Sequence, residues 1–348
     1  ISLIKAGFKE NRIVEKGIGF LKRTQRADGS WPIDIDLSTW VTTLSVKALK
    51  NVVGDEFSLE ERNRVVHHLL SIQNKSVHPF NGTSPGGWGW THFSGSVPDG
   101  DDTSGVILSL IFLADASNGE VNKAIEEGCD WLLKLQNSDG GFPTFSRGWG
   151  KLPFDQSSAD ITGHALLALT KSIERLQGIV SDVKLSKYRK AVKRSLLFLK
   201  KHQQENGSWI PLWFGNENHP AHHNPVYGTA RVCAYLTDAV KSLKWNKSLI
   251  LLLKKMIEKA QQYLASVQNS DGSWGGDVNI EGTIEETSLA VTALNGVSFN
   301  STVDKGLAWL DQQYCTKGLK ASPIGLYFAS LWYDEKLYPL TMYLEALV

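Results

Sequence analysis

The stretch "WLLKLQNSDGGF", residues 131–142, decides the fold because variants of it recur along the whole chain. Each clear copy opens with an aromatic residue and a leucine and contains a glutamine. A glycine follows four residues after that glutamine, and an aromatic residue follows six residues after it. Such a recurring pattern is the signature of a repeat architecture. The other copies are "FLKRTQRADGSW" (20–31), "FLKKHQQENGSW" (198–209), "YLASVQNSDGSW" (263–274), a lengthened copy (69–90) and an eroded copy without the final tryptophan (309–318).

Each copy is predicted to end one helix, form a glycine-containing turn and precede a second helix. The first helix is amphipathic, as in "NKAIEEGCDWLLKLQ" (122–136), which is typical of an outer layer. The second is apolar almost all round, which is typical of a buried inner layer. The six predicted inner helices lie in residues 37–49, 101–113, 158–172, 227–240, 283–297 and 322–333.

Six outer–inner pairs that close on themselves form an α6–α6 double helical barrel. The sequence has no β-branched runs bounded by hairpin turns, so sheet is not expected. We therefore predict an all-α fold, with residues 1–348 as a single domain. Such a barrel gathers the starts of all six inner helices at one mouth, where we expect the functional site.

Composition excludes several classes of protein. The net charge is +1, so nucleic acid is not an expected partner. No apolar run reaches the roughly 18 residues of a membrane span, although peripheral membrane contact stays open. Cys129, Cys233 and Cys315 are scattered, which favours a reduced, cytoplasmic protein. The chain begins at Ile1 without methionine, which is compatible with a fused or missing domain upstream.

The segment "SVPDGDDTSGVILSL", residues 96–110, places three carboxylates directly before an apolar helical run. One Asp suffices to cap a helix, so Asp99, Asp101 and Asp102 together need another explanation. Three crowded carboxylates cannot all ionise cheaply, and at least one should keep its proton near neutral pH. A histidine bonded to that acid would stabilise its conjugate base. Asp160 and His164 are four residues apart and share one helix face.

Aromatic residues at the predicted helix starts and the turns before them surround this acid cluster. Ring faces attract positive charge without quenching a carbocation, so acid and rings together indicate protonation of an apolar group. The alternative is a glycosidase-like site, in which Asp160, Glu285 or Glu286 supplies a second carboxylate. The candidate cation-stabilising residues are Trp40, Trp90, Phe145, Trp213, Tyr227, Phe328 and Trp332.

The repeats resemble the QW motifs of squalene–hopene and oxidosqualene cyclases, and "DGDDT" (99–103) resembles the Asp-x-Asp-Asp-Thr motif of class II terpene cyclases. The resemblance spans essentially the whole chain and corresponds to the catalytic β domain of that family. It implies that Asp101 is the general acid, supported by Asp99 and Asp102. It also implies that Asp160 and His164 brace this acid.

The resemblance also assigns the aromatic residues. It implies that Trp90 stabilises cations and that Trp40 and Trp213 line the cavity, with Phe145 where the family has a tyrosine. Phe328 and Trp332 would belong to a C-terminal aromatic wall. We expect the tryptophans that end the repeats, Trp31, Trp209 and Trp274, to be structural.

Full-length squalene cyclases carry a second helical domain, γ, which is absent from this sequence. The chain therefore resembles stand-alone enzymes of the drimenyl diphosphate synthase type, which would convert farnesyl diphosphate to a bicycle and retain the diphosphate. No cofactor is required, although Mg²⁺ near Glu285 or Glu286 is compatible with a diphosphate. Candidate residues for the diphosphate are Arg231, Arg147, Lys151, Lys317 and Lys320.

Three other functions stay open. The chain could be the β domain of a triterpene cyclase whose γ domain is missing. It could resemble the zinc-binding β subunit of a protein prenyltransferase, although no zinc pattern surrounds Cys233. It could also be a non-catalytic helical-ring binding module, for which the buried carboxylates would be unnecessary.

Overall fold

The computed structural model describes residues 5–7, 11–27, 29–31, 36–93, 95–148, 153–243, 246–296 and 299–348. Over these residues the chain is mostly helical, and no described helix is both long and apolar enough to cross a membrane. In chain order the helices are α1 (Arg12–Thr24), α2 (Ser38–Leu49), α3 (Val53–Glu56), α4 (Leu59–Ser71), α5 (Gly100–Leu113), α6 (Gly119–Leu135), α7 (Ala159–Arg175), α8 (Asp182–His202), α9 (Pro225–Ser242), α10 (Lys247–Ser266), α11 (Ile284–Leu294), α12 (Asn300–Lys317) and α13 (Leu337–Leu347).

The chain divides into two compact units, Ile1–Leu37 and Ser38–Val348. The smaller unit contains α1, whose first turn is capped by the side chain of Asn11. It also contains the first repeat turn, in which Gln25 Nε2 donates to the Gly29 carbonyl at 3.0 Å. Trp31 Nε1 donates to the Leu21 carbonyl at 2.8 Å, so the turn folds back onto the end of its helix.

The larger unit is built on a ring of inner helices. Helices α2, α5, α7, α9, α11 and α13 each pack against the next, and α13 packs against α2 to close the ring. Among the described residues of this unit, α4, α6, α8, α10 and α12 form the outer layer and pack on the inner helices. Capping side chains begin both layers, such as Asp99 and Asn224 inside and Ser181 outside. The predicted α6–α6 helical barrel is confirmed.

The last inner helix was predicted in the wrong place. Residues 322–333 form two strands around a single 3₁₀ turn, and the ring is closed instead by α13, which begins at Leu337. Pro323 lacks an amide donor, and Gly325 and Ser330 have positive φ angles of 149° and 48°, which end any helix there. A Cβ at Gly325 would lie 2.2 Å from the Leu331 carbonyl oxygen, so only glycine fits this hairpin.

The expectation of no sheet is also corrected, because the described residues contain two small sheets. One pairs β1 with β2, and the other has the order β3–β4–β5. Phe214 pairs with Leu326, and Gly325 pairs with Trp332. The strands are β1 (Phe142–Pro143), β2 (Ser157–Ser158), β3 (Phe214–Gly215), β4 (Ile324–Leu326) and β5 (Leu331–Tyr333).

Four of the repeat glutamines join neighbouring outer helices. Each of these four donates from Nε2 to the glycine carbonyl of its own turn and to a carbonyl of the next outer helix, at 2.9–3.1 Å. The four pairs across helices are Gln73–Ala124, Gln136–Ala191, Gln203–Met256 and Gln268–Thr302. Trp209 and Trp274 are fully buried and donate to the last turn of the preceding helix, as expected for structural residues.

Replacing Gln203 with leucine should lower the free energy of unfolding by about 1–3 kcal/mol, because two part-buried carbonyls lose their donor. Gln204 is the matched control, since it is adjacent and exposed, and Gln204→Leu should change stability by less than about 0.5 kcal/mol. Chemical denaturation of both variants measures the difference. Equal stability of the two variants would contradict the bridging role.

Candidate active site

The starts of neighbouring inner helices lie together at the mouth. Trp40, near the start of α2, donates from Nε1 to the Tyr338 hydroxyl of α13 at 2.9 Å. Asn224, which caps α9, donates to Glu286 in the first turn of α11 at 2.7 Å. Helix starts present unpaired backbone N–H groups and a partial positive charge. The mouth therefore suits a group that becomes negative during a reaction.

Asp99 and Asp102 are the buried members of the acid cluster. Asp99 Oδ1 accepts from the backbone N–H groups of Asp101 and Asp102 at 3.0 and 2.8 Å and so caps α5. Burial raises the pKa of Asp99 to about 7, against the effect of its hydrogen bonds from Asp102. Burial and the charge of Asp99 also raise the pKa of Asp102 well above its usual value. Burial therefore favours retained protons at Asp99 and Asp102, and the acidic proton expected on Asp101 stays a prediction.

Asp101 is the member that faces His164. Its side chain keeps 17% of its surface exposed, and Oδ1 lies 2.5 Å from His164 Nδ1. Burial lowers the pKa of His164, and the charges of Lys47 and Arg231 lower it further, although Asp101 acts in the opposite direction. The imidazole is therefore neutral near pH 7, and its one N–H can stabilise the carboxylate that forms when Asp101 gives up a proton. The structure brings together the two residues expected to form the acid and its brace.

Asp160 lies at the start of α7, one turn before His164. Its Oδ1 accepts from the Ser158 hydroxyl, while Oδ2 is buried without a hydrogen-bond partner. Burial raises the pKa of Asp160 to about 6, with the Ser158 hydrogen bond opposing and the charge of Asp101 adding to this shift. Asp160 is thus close enough to Asp101 for their charges to interact.

The predicted aromatic residues of the turns form one cluster around Phe145. The Phe145 ring centre lies 6.0 Å from that of Trp90 and 4.4 Å from that of Trp213. Phe154, which sequence reasoning missed, lies 5.1 Å from Phe145 and 5.8 Å from Phe328. Its only sequence signal is a position before an inner helix, like that of Phe145. Trp332 instead packs edge-on against His222 at 5.3 Å.

Three tyrosines lie near enough to Asp101 to feel its charge, Tyr227 and Tyr235 on α9 and Tyr333 on β5. Burial raises the pKa values of Tyr227, Tyr235 and Tyr333, and the charge of Asp101 adds to each shift. Tyr333 and Tyr338 share a hydroxyl contact of 3.4 Å, and Tyr338 accepts from Trp40. Tyr227 and Trp40 were predicted. Tyr235, Tyr333 and Tyr338 were missed, the last two because the final inner helix was misplaced.

Arg231 is the candidate diphosphate residue that lies on an inner helix. Arg231 is fully buried in α9, where Nε donates to the Tyr227 hydroxyl at 3.3 Å and both terminal nitrogens lack partners. It acts on the pKa of His164, so it lies at the acid end of the site, where the remote head group of a substrate is not expected.

Arg147, another candidate for the diphosphate, is used within the fold. Arg147 donates from Nη2 to the carbonyls of Leu135 and Gln136 at the end of α6, which caps that helix. Lys151 lies outside the described residues. Lys317 and Lys320 are exposed. The diphosphate role of these residues stays a prediction.

Glu285 and Glu286 differ in how their oxygens are used. Glu286 accepts from Asn216, Asn224 and Thr283, so protein donors occupy both of its oxygens. Glu285 Oε1 accepts from the Ser322 N–H at 2.9 Å, while Oε2 is buried without a partner. Within the described residues, no three His, Cys, Asp or Glu side chains are grouped to hold a metal. A Mg²⁺ role here would depend on Glu285 and on oxygens of the substrate.

Glu285 should make stability fall as pH rises. Burial raises its pKa from an ordinary 4.5 to about 7, which corresponds to roughly 3 kcal/mol. Since the folded state holds this proton more tightly, the contribution is complete below about pH 4.5 and is lost as pH rises through about 7. Relative to wild type, Glu285→Gln should therefore gain roughly 3 kcal/mol in unfolding free energy between pH 4.5 and pH 8.

Denaturation across this pH range measures the effect, with Glu281→Gln as the control because Glu281 is exposed. A difference between Glu285→Gln and wild type that stays constant with pH would contradict it.

With this geometry in place, comparison with known proteins decides the family. Residues 37–322 match the family described as the squalene-hopene cyclase C-terminal domain. That match covers well over half of the chain. The chain belongs to this family.

Relatives of this squalene-hopene cyclase C-terminal domain include longer proteins. The squalene–hopene cyclase of Bradyrhizobium diazoefficiens is 26% identical over 307 residues, which cover 80% of this chain and 43% of that protein. The drimenyl diphosphate synthase of Streptomyces showdoensis is 28% identical over 242 residues, covering 68% of this chain and 39% of that protein. The chain spans less than half the length of the curated relatives it matches.

A solved type II terpene cyclase from Scytonema, in complex with merosterolic acid A as product, has the same fold. Its TM-score is 0.60 at 15% identity, and the match covers 96% of this chain and 94% of that one. The family match, with the squalene–hopene cyclase and drimenyl diphosphate synthase relatives, places this chain in the class II terpene cyclase superfamily, and the solved structure adds the shared fold.

Proposed function

We propose that this chain protonates the terminal alkene of a linear isoprenoid and cyclises it through carbocations. The observation that carries this proposal is the 2.5 Å contact between Asp101 and His164 at the mouth of the ring. A buried neutral imidazole beside a carboxyl group has a clear use when that carboxyl gives up a proton. The aromatic cluster around Phe145 supports the same chemistry, because rings stabilise cations.

In the first step, the proton on one Asp101 oxygen moves to the terminal alkene carbon. The alkene π electrons form the new C–H bond and leave a tertiary cation. The carboxylate that remains accepts a hydrogen bond from His164 and lies in the first turn of α5, where the helix dipole favours negative charge. Asp99 holds the Asp101 backbone in place through its N–H group.

In the following steps, neighbouring double bonds attack the cation and close rings. Each attack uses one π bond to form one C–C bond and moves the positive charge along the chain. The rings of Trp40, Tyr227 and Trp213 offer apolar walls that limit access of water to this charge. Loss of one proton from a carbon next to the last cation restores a double bond, so the overall reaction is an isomerisation.

For the substrate, we favour a prenyl diphosphate, with farnesyl diphosphate giving a drimane-type bicycle that keeps its diphosphate. The drimenyl diphosphate synthase relative supports this choice. The Scytonema enzyme, a chain of matching extent solved with its product merosterolic acid A, supports catalysis by a chain of this size. The second candidate is that the chain acts as the β domain of a longer squalene-type cyclase. The match to less than half of the Bradyrhizobium enzyme favours this candidate.

Product analysis separates these candidates. The purified chain is incubated with farnesyl diphosphate, geranylgeranyl diphosphate or squalene, treated with phosphatase, extracted and examined by gas chromatography–mass spectrometry. A bicyclic alcohol from a diphosphate, absent with Asp101→Asn, is the expected result. A product from squalene alone would overturn the proposed substrate. A folded chain that converts none of the three would overturn the proposal that this ring is sufficient for catalysis.

A further inference from the structure

We propose that Tyr235 and Lys47 are positioning residues that hold the His164 imidazole against Asp101. This inference rests on the proposed function, because it gives Asp101 the role of acid. Neither residue was singled out by the sequence. The arrangement joins four inner helices, since Lys47 lies on α2, Asp101 on α5, His164 on α7 and Tyr235 on α9.

The geometry is that of a stack. The His164 and Tyr235 rings are parallel within 5°, with ring centres 4.6 Å apart. Lys47 Nζ lies 5.0 Å from the centre of the same Tyr235 ring, within the range of a cation–π contact. Glu345 on α13 holds Lys47 through a 2.8 Å ion pair. The Tyr235 ring therefore contacts a fixed cation as well as the imidazole.

Local packing leaves room for this stack. Gly163 immediately precedes His164, and a Cβ at Gly163 would lie 3.3 Å from Tyr235 Cδ2. That distance is tighter than most real contacts, so a larger residue would press on the Tyr235 ring. The missing side chain thus allows α9 to bring Tyr235 flat against the imidazole.

The stack has two consequences for the acid. Rotation of the imidazole would break the 2.5 Å contact between its Nδ1 and Asp101 Oδ1. The parallel ring of Tyr235 opposes that rotation. Burial is the main cause of the lowered pKa of His164, and the charges of Lys47 and Arg231 add to it, which favours the neutral ring that can donate. Other charged groups lie close to this stack. Asp160 is near enough to Asp101 for their charges to interact, and Glu345 and Lys50 are near enough to Lys47 for theirs to do so.

Kinetics of Tyr235 variants test the positioning role. Tyr235→Leu should lower kcat on the order of tenfold with little change in KM, because it removes a ring–ring contact that orients the acid pair. Tyr235→Phe keeps the ring and should restore most of kcat. In a His164→Gln background, Tyr235→Leu should have no further effect on kcat, since the group that it orients is gone. A purely structural tyrosine would lower kcat equally in both backgrounds, and that result would overturn the proposal.

A second measurement does not depend on turnover. NMR titration of isotope-labelled histidine, with His164 assigned through His164→Gln, should show an upward shift of the His164 pKa in Lys47→Met. Because Lys47→Met leaves Glu345 buried and unpaired, the double variant Lys47→Met/Glu345→Gln provides a second reading. An unchanged His164 titration in folded variants would overturn the role of Lys47. If the wild type converts no isoprenoid, the proposed function fails while this titration still tests the stack.

Discussion

Asp101→Asn is expected to lower kcat by roughly a thousandfold or more while leaving the fold intact. Asparagine has nearly the same shape and can still contact His164, but it has no acidic proton to transfer to an alkene. The side chain is part-exposed at the first turn of α5, so the substitution opens no cavity. Product formation at saturating substrate measures the rate, and thermal unfolding checks the fold.

Asp182→Asn is the matched control, because Asp182 is also an acidic residue in the first turn of a helix but is exposed on the outer layer. It should keep the wild-type rate. If Asp101→Asn retained more than a tenth of the wild-type kcat, Asp101 would be a helix-start carboxylate and the acid would have to be sought elsewhere.

His164→Gln is expected to lower kcat on the order of a hundredfold, with KM changed little. The imidazole contacts the acid rather than the isoprenoid, so its loss should affect the transition state, in which Asp101 becomes negative. Glutamine can occupy much of the same volume but cannot reproduce the ring that stacks on Tyr235. Steady-state kinetics at several substrate concentrations separates kcat from KM.

His202→Gln is the control here, since His202 is exposed at the end of α8. It should behave as wild type in the same assay. A His164→Gln enzyme with an unchanged kcat and a raised KM would instead place His164 in substrate binding.

Much of the ring of helices could be predicted from the sequence because the contacts that define each repeat join residues close together in the chain. The glutamine and the glycine four residues later lie within one turn, so their hydrogen bond is visible as a spacing, as in Gln136 and Gly140. The acid cluster is visible for the same reason, since Asp99 and Asp102 belong to one helix start. His164 could be found because it shares a helix face with Asp160.

Contacts between distant segments could not be predicted in this way. The aromatic run of residues 322–333 resembles an inner helix in composition, but its two halves pair with each other as a hairpin, and the first half also pairs with Phe214 from a distant segment. Once that helix is misplaced, Tyr338 cannot be assigned beside Trp40, from which it is separated by 298 residues. Tyr235 is hidden for a related reason, because a tyrosine on an apolar helix carries no signal that a neighbouring helix stacks an imidazole on it.

The most direct test of the central claim is cyclisation in D₂O. The chain is exchanged into D₂O and incubated with the isoprenoid that it converts, and the extracted product is examined by mass spectrometry and NMR. If Asp101 starts the reaction by protonating the terminal alkene, the product gains one deuterium at a carbon derived from that alkene, and Asp101→Asn forms no product. A cyclised product without deuterium would contradict the account, because ring closure would then begin without proton transfer from the protein.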